Sequence, residues 1–167
     1  MAERTLILDS RQIEQKIQRI AHQIHEHTFK EKEIVVVGVQ FKGVEFARRL
    51  VEVLRNISAL EIELYTIGFE KDKPLRDEVR FEGDVAHMKN KVVFLVDDVI
   101  NSGRTLIYAA KFLLDASPKQ LKTATLVDRI HRRFPIHADF VGLTLSTNLK
   151  EHVEVDLTSK EHGVYLE

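Results

Sequence analysis

The sequence predicts an α/β fold with a mostly parallel central sheet flanked by helices, and three features carry that prediction. Short β-branched apolar runs alternate with longer segments of helical spacing along the chain. Two of the runs, Ile34–Val39 and Val92–Val96, are continuously apolar, as strands covered on both faces are. No internal repeat, low-complexity tract or linker interrupts the alternation, so residues 1–167 read as one domain.

Taken in order, Asp9-Ser10 caps a helix over residues 10–27, in which Ile13, Ile17, Ile20 and Ile24 recur at helical intervals. Ile34–Val39 is the first buried strand, and Val44, Ala47, Leu50, Val51 and Leu54 mark the helix after it. Leu60–Ile67 alternates apolar residues with Glu61 and Glu63, which predicts a strand with one wet face. From Gly68 to His87 the chain turns polar, through Lys71-Asp72-Lys73-Pro74 and Glu82-Gly83-Asp84, and reads as a mobile flap. Val92–Val96 then runs into Asp97-Asp98, a turn at Ser102-Gly103, and a helix carrying Leu106, Ala109, Ala110, Leu113 and Leu114. Lys122–Val127 is a further strand, followed by a basic turn with Arg129, His131, Arg132 and Arg133. Phe140-Val141, Val153–Val155 and Gly163–Leu166 read as short strands at a sheet edge.

Composition excludes several functions. A formal net charge of -1 gives no bulk field toward nucleic acid or membrane. The absence of cysteine rules out disulfides, thiolate metal sites and thiol nucleophiles. No run approaches the roughly 18 apolar residues of a spanning helix, and the charged N-terminus is unlike a signal peptide, so a cytoplasmic protein is expected. Of His22, His25 and His27 only the first two share a helix face, and no carboxylate completes a metal triad.

The segment that carries chemistry is Val92–Thr105. An apolar strand ends in two adjacent carboxylates, and a small polar loop, Asn101-Ser102-Gly103-Arg104-Thr105, opens a helix. Backbone N–H groups and the hydroxyls of Ser102 and Thr105 then surround a helix N-terminus, where a phosphate is stabilised by unpaired donors and the helix dipole. Asp97 and Asp98 occupy the carboxyl end of a central strand, where open α/β sheets place ligands. Paired acids there suit a ribose diol or a hydrated Mg²⁺, and a phosphate beside a diol suggests a ribose 5-phosphate. A lone Asp-Asp pair is more often the start of a surface turn; the whole ordered string outweighs that reading. A second loop, Gln40-Phe41-Lys42-Gly43, follows the first buried strand. Gly43 permits close backbone approach there, and Lys42 can neutralise charge on a leaving group.

The string of apolar run, two acids, two apolar residues and x-Ser-Gly-x-Thr resembles the phosphoribosyl-pyrophosphate signature of type I phosphoribosyltransferases. Over nearly its whole length the chain further resembles the bacterial pyrimidine operon regulators that are also uracil phosphoribosyltransferases. Ile7-Leu8-Asp9, Arg19-Ile20-Ala21-His22, Leu126-Val127-Asp128-Arg129, His131-Arg132, Pro135-Ile136 and Ala138-Asp139-Phe140-Val141-Gly142 carry that likeness.

The resemblance implies transfer of ribose 5-phosphate from phosphoribosyl pyrophosphate to uracil, giving UMP, with Mg²⁺ held near Asp97 and Asp98 through water. Asn101–Thr105 would take the phosphate and Gln40–Gly43 the pyrophosphate. A hood over 127–142 would cover the base, with Val127, Arg129, Phe134 and Ile136 against it. Homo-oligomers, dimers or larger, are implied as well. The alternative is an RNA-binding attenuation regulator that senses nucleotides, with Arg19, His22, His131 and Arg132 on leader RNA. Departures from the family bear on both readings. Lys42 stands where Thr-Arg-Gly is usual, which gives a point charge without bidentate geometry. Thr66-Ile67-Gly68 replaces an Arg and two acids, which leaves Arg76 or Arg80 to supply a flap cation. Gln18, His137 and Leu143 replace a hydroxyl and two cations of the RNA surface, so the enzyme ranks above the regulator.

Overall fold

The computed structural model describes residues 4–70 and 79–167. In chain order the elements are β1 (Thr5–Asp9), α1 (Ser10–His27), β2 (Glu33–Val39), α2 (Lys42–Ile57), β3 (Glu61–Phe69), β4 (Val79–Glu82), β5 (Val92–Ile100), α3 (Arg104–Leu114), β6 (Gln120–Asp128), β7 (Phe140–Thr144), β8 (Val153–Asp156) and β9 (Gly163–Leu166); a 3₁₀ turn spans Val85–Met88. The main sheet has the order β4-β3-β2-β5-β6-β7. All its pairings are parallel except β3 with β4. The α/β class and the parallel sheet are as the sequence predicts.

Strand periodicity decides which helix covers which face. Ile34, Val36, Phe94 and Val96 point to one side and pack with Ile13, Ile17, Ile20 and Ile24 of α1 and with Phe46, Leu50 and Leu54 of α2. Their alternates Val35, Val37, Val93 and Leu95 pack on the other side with Leu106, Ala109 and Leu113 of α3. Helix α1 starts at a capping box: the Asp9 carboxylate accepts from the Gln12 N–H at 2.8 Å, and the Gln12 side chain accepts from the Asp9 N–H at 2.9 Å.

Two placements differ from the sequence reading. The strands β8 and β9 do not edge the main sheet; they form a separate antiparallel sheet with β1, in the order β1-β9-β8. Their alternation marks them as strands, but pairing of Gly163 with Asp9 spans almost the whole chain and leaves no local trace. Only β7 closes the edge of the main sheet as expected. The expected flap over 68–87 has regular ends, since Gly68 and Phe69 of β3 pair with Arg80 and Val79 of β4. Residues 71–78, Arg76 among them, lie outside the described residues. No described helix is long and apolar enough to cross a membrane.

Candidate active site

The parallel strands bring three loops to one edge of the sheet. Gln40–Lys42 leaves β2, with a cis peptide between Gln40 and Phe41. Phe69-Glu70 ends β3, and Asp97–Thr105 runs from β5 into α3. Contact between the first and third loops is close because Gly43 has no side chain. A Cβ built on it would lie 3.0 Å from Asp97 Oδ1 and 3.1 Å from the Val96 carbonyl oxygen. Gly103 takes φ +84° at the N-cap of α3, a left-handed conformation that suits glycine. The N-cap glycine has no side chain to offer α3, so apart from the Arg104 N–H the first-turn N–H groups, those of Thr105 and Leu106, stay available to a ligand. Ser102 Oγ accepts from the Arg104 N–H at 3.3 Å, which closes the corner. Val39, Gln40, Phe41, Phe69, Glu70, Arg104 and Thr105 line a cleft of about 300 Å³ between the loops.

The electrostatics of the site are unrelaxed. Burial pushes the Asp97 carboxyl well above the usual carboxylate range, and the Asp98 carboxylate beside it pushes the same way. The Asp98 N–H, donating to Asp97 Oδ1 at 2.9 Å, offsets only part of this. A cation would relieve two such acids. No group of three or more His, Asp or Glu side chains able to hold a metal occurs among the described residues. An ion at Asp97 and Asp98 would therefore complete its shell from water and substrate oxygens, as Mg²⁺ commonly does. Arg104 Nε is buried without a hydrogen-bond partner at the lip of the cleft.

Lys42 stands at the start of α2, half-exposed, with Nζ 3.4 Å from Glu154 Oε1 on β8. Nothing in the sequence singled out Glu154, because its approach to Lys42 depends on the second sheet. Glu70 is a second unanticipated residue: it pairs with Arg80 at 3.3 Å, so that guanidinium is engaged at the foot of the hairpin.

The residues expected at the base divide. The Val127 side chain is fully buried in the core on the α1–α2 side, which leaves only its backbone to face a ligand. Arg129 is buried too, its guanidinium bonded to Asn101, Thr147, Asn148 and Glu151. Phe134 and Ile136 lie over the Ser102-Gly103 corner, Phe134 edge-on to Tyr108 and Ile136 against Gly103. The Arg133 and Phe134 N–H groups both donate to the Ser102 carbonyl, at 2.9 and 3.1 Å. Of the residues considered for RNA, His131 bonds the Thr147 carbonyl at 2.6 Å, and Arg132 binds Asp128 at 2.7 Å and the Asn101 carbonyl at 3.0 Å. Arg19 donates to the Val141 and Gly142 carbonyls of β7, and His22 stands exposed on α1.

Residues 3–160 match the model of the Phosphoribosyl transferase domain family. The chain belongs to that family. It is 35% identical to the bifunctional protein PyrR of Alkaliphilus metalliredigens, over 100% of this chain and 97% of the relative. It is 37% identical to the bifunctional protein PyrR of Bacillus cereus, over 94% and 92% of the two chains. Among solved structures, a hypoxanthine-guanine phosphoribosyltransferase of Bacillus anthracis superposes with a TM-score of 0.71 at 27% identity, covering 86% of this chain and 84% of that one. The hypoxanthine phosphoribosyltransferase of Trypanosoma cruzi reaches 0.78 over 97% and 95%, at 20% identity, a likeness of fold alone. Family membership accounts for the ordered string from Val92 to Thr105 and agrees with the resemblance drawn from it.

Proposed function

We propose that this protein transfers ribose 5-phosphate from phosphoribosyl pyrophosphate to uracil, forming UMP and pyrophosphate in the cytoplasm. The observation that carries the reading is the cavity that Asp97 shares with the N-terminus of α3, with Gly43 of the first loop held close against Asp97. Family membership supports the donor, and the PyrR relatives, matched along the whole chain, support a pyrimidine acceptor.

In the transfer, the bond from the ribose anomeric carbon to pyrophosphate oxygen breaks. A bond to a ring nitrogen of the base forms, and that nitrogen gives up its proton. The anomeric carbon passes through an oxocarbenium-like state, so the protein's task is to hold both ends, neutralise the leaving group and exclude water. Asn101–Thr105 bind the 5-phosphate through first-turn N–H groups of α3 and the Ser102 and Thr105 hydroxyls. Gln40–Gly43 bind the pyrophosphate, with Lys42 released from Glu154 to meet its charge. Asp97 and Asp98 orient the ribose hydroxyls and would hold Mg²⁺ through water. When bound, Mg²⁺ supplies neutralising charge to the pyrophosphate oxygens. The 68–87 segment serves as a flap that shuts out water. The 127–142 segment covers the base, with Phe134 and Ile136 as its apolar wall.

A panel of uracil, hypoxanthine and guanine with phosphoribosyl pyrophosphate and Mg²⁺ tests this. UMP formation with neither purine consumed supports it; turnover of hypoxanthine or guanine in place of uracil overturns the acceptor.

The word bifunctional in the relatives' name favours a second activity beside transfer, and the one that the sequence resemblance implies is RNA binding by a homo-oligomer of the same chain. Exposed Arg19 and His22 are its contact residues, with His131 and Arg132 drawn mainly into internal bonds. A salt-dependent, sequence-selective gel shift of a pyrimidine-gene leader RNA supports that second reading, and its absence beside robust UMP formation leaves a salvage enzyme alone.

A further inference from the structure

We propose that Arg129 is a positioning residue whose missing counter-charge is the phosphate of the substrate, an inference that rests on reading the 101–105 corner as a phosphate site. Arg129 is only 9% exposed. Its Nη1 donates to Asn101 Oδ1 at 2.8 Å, and Nε and Nη2 donate to Thr147 Oγ1 at 3.1 and 2.9 Å. Nη2 also reaches the carbonyl oxygens of Glu151 at 2.6 Å and Asn148 at 3.4 Å. Every one of these acceptors is neutral. Among the described residues no carboxylate pairs with the guanidinium: nearby Asp128 binds Arg132 instead, and the Glu151 carboxylate accepts from the Asn148 N–H at 2.6 Å. A buried cation without an anion is unfavourable, even with its hydrogen bonds made. The chain maintains that cost directly behind the corner where a dianion is expected.

The same contact orients Asn101. A guanidinium only donates, so the Asn101 amide turns its oxygen to Arg129 and keeps its NH₂ group as the free end. Among the described residues nothing accepts from that group. Asn101 is exposed and shares a small cavity with Asp97 and Ser102–Thr105. An arriving phosphate thus meets the N–H groups of α3, a pre-set amide donor, and a buried positive charge one side chain behind it. At its other end Arg129 grips the 147–151 segment that leads into β8, so occupancy of the corner is coupled to that segment.

The test is calorimetric titration of Mg²⁺–phosphoribosyl pyrophosphate into the wild type, Arg129→Gln and Asn101→Asp, with melting temperature and uracil KM measured alongside. Arg129→Gln keeps a donor and loses the charge. It is expected to bind phosphoribosyl pyrophosphate about tenfold more weakly, with the uracil KM within about twofold of wild type. Asn101→Asp gives Arg129 a resident anion and removes the free donor. It is expected to melt higher than wild type without ligand, yet bind phosphoribosyl pyrophosphate at least about tenfold more weakly. An aspartate at 101 repels the phosphate whatever Arg129 does, so its melting temperature is the deciding reading. An Asn101→Asp that melts no higher than wild type shows no missing counter-charge at Arg129 and overturns the proposal even where Arg129→Gln fails to fold, as does a folded Arg129→Gln that binds phosphoribosyl pyrophosphate like wild type. A wild type that binds no phosphoribosyl pyrophosphate overturns the phosphate reading itself, and this inference with it.

Discussion

Asp97 is the residue on which protonation, packing and ligand chemistry converge. Its carboxyl is pushed up by burial and by Asp98, so ionising it costs more in the folded chain than in the unfolded one. The stability this carboxyl supports is therefore present at low pH and is lost as pH rises through the elevated value. Asp97→Asn should melt higher than wild type at pH 8, with the gain shrinking toward pH 4, as read by thermal denaturation without ligand. The same variant should lose turnover, because the ribose hydroxyls lose their acceptor. Gly43 is bound to this residue by sterics: Gly43→Ala presses on Asp97 and Val96 and should lower kcat/KM about a hundredfold. Lys42→Ala should cost on the order of a hundredfold in turnover. Glu154→Gln should do the opposite at the binding step. A half-exposed pair is worth less than about 1 kcal/mol, so its loss should lower the KM for phosphoribosyl pyrophosphate by no more than about fivefold. At this scale the sequence was legible where chemistry follows chain order, as in Asp97-Asp98 and Ser102–Thr105. It was not legible for Val127 and Arg129. A β-branched residue at the end of a strand and an arginine in a turn say nothing about which way each side chain points.

At the scale of elements, periodicity and capping residues sufficed for α1, β2, α2, β5, α3 and β6. Each buries a continuous apolar face that repeats every two residues in strands and at 3.6-residue spacing in helices. Asp9 shows how local such information is. It closes a capping box with Gln12, and Asp9→Ala should lower unfolding stability by about 1 kcal/mol, measured as a reduced urea midpoint at unchanged slope. The second sheet was not legible in the same way. Strand β9 bridges β1 and β8, and registers such as Leu6 with Tyr165 join opposite ends of the chain. Nor was β4, whose short stretch after Pro74 looks polar until Phe81 is set against Tyr65 and Phe112. These two features are also what brings Glu154 to Lys42 and Glu70 to Arg80.

For the whole molecule, the architecture follows from alternation of elements and the handedness of their crossovers, and the site follows from where a parallel sheet opens its loops. Function was legible because a family signature sits where physics places a ligand: acids at a strand end, an uncapped helix, a glycine at the contact. The choice of base was not, since Phe134 and Ile136, the side chains proposed to face it, are apolar and carry no donor pattern of their own. The measurement that tests the central claim most directly is equilibrium titration of Mg²⁺–phosphoribosyl pyrophosphate into wild type and Thr105→Glu. A glutamate in the first turn of α3 favours the helix dipole by about 0.3–1 kcal/mol, so the fold should hold or stiffen. The account predicts saturable binding to wild type and a loss of more than about a hundredfold in the variant, as a resident carboxylate repels the phosphate from its cradle. Equal affinity in the two proteins would contradict it.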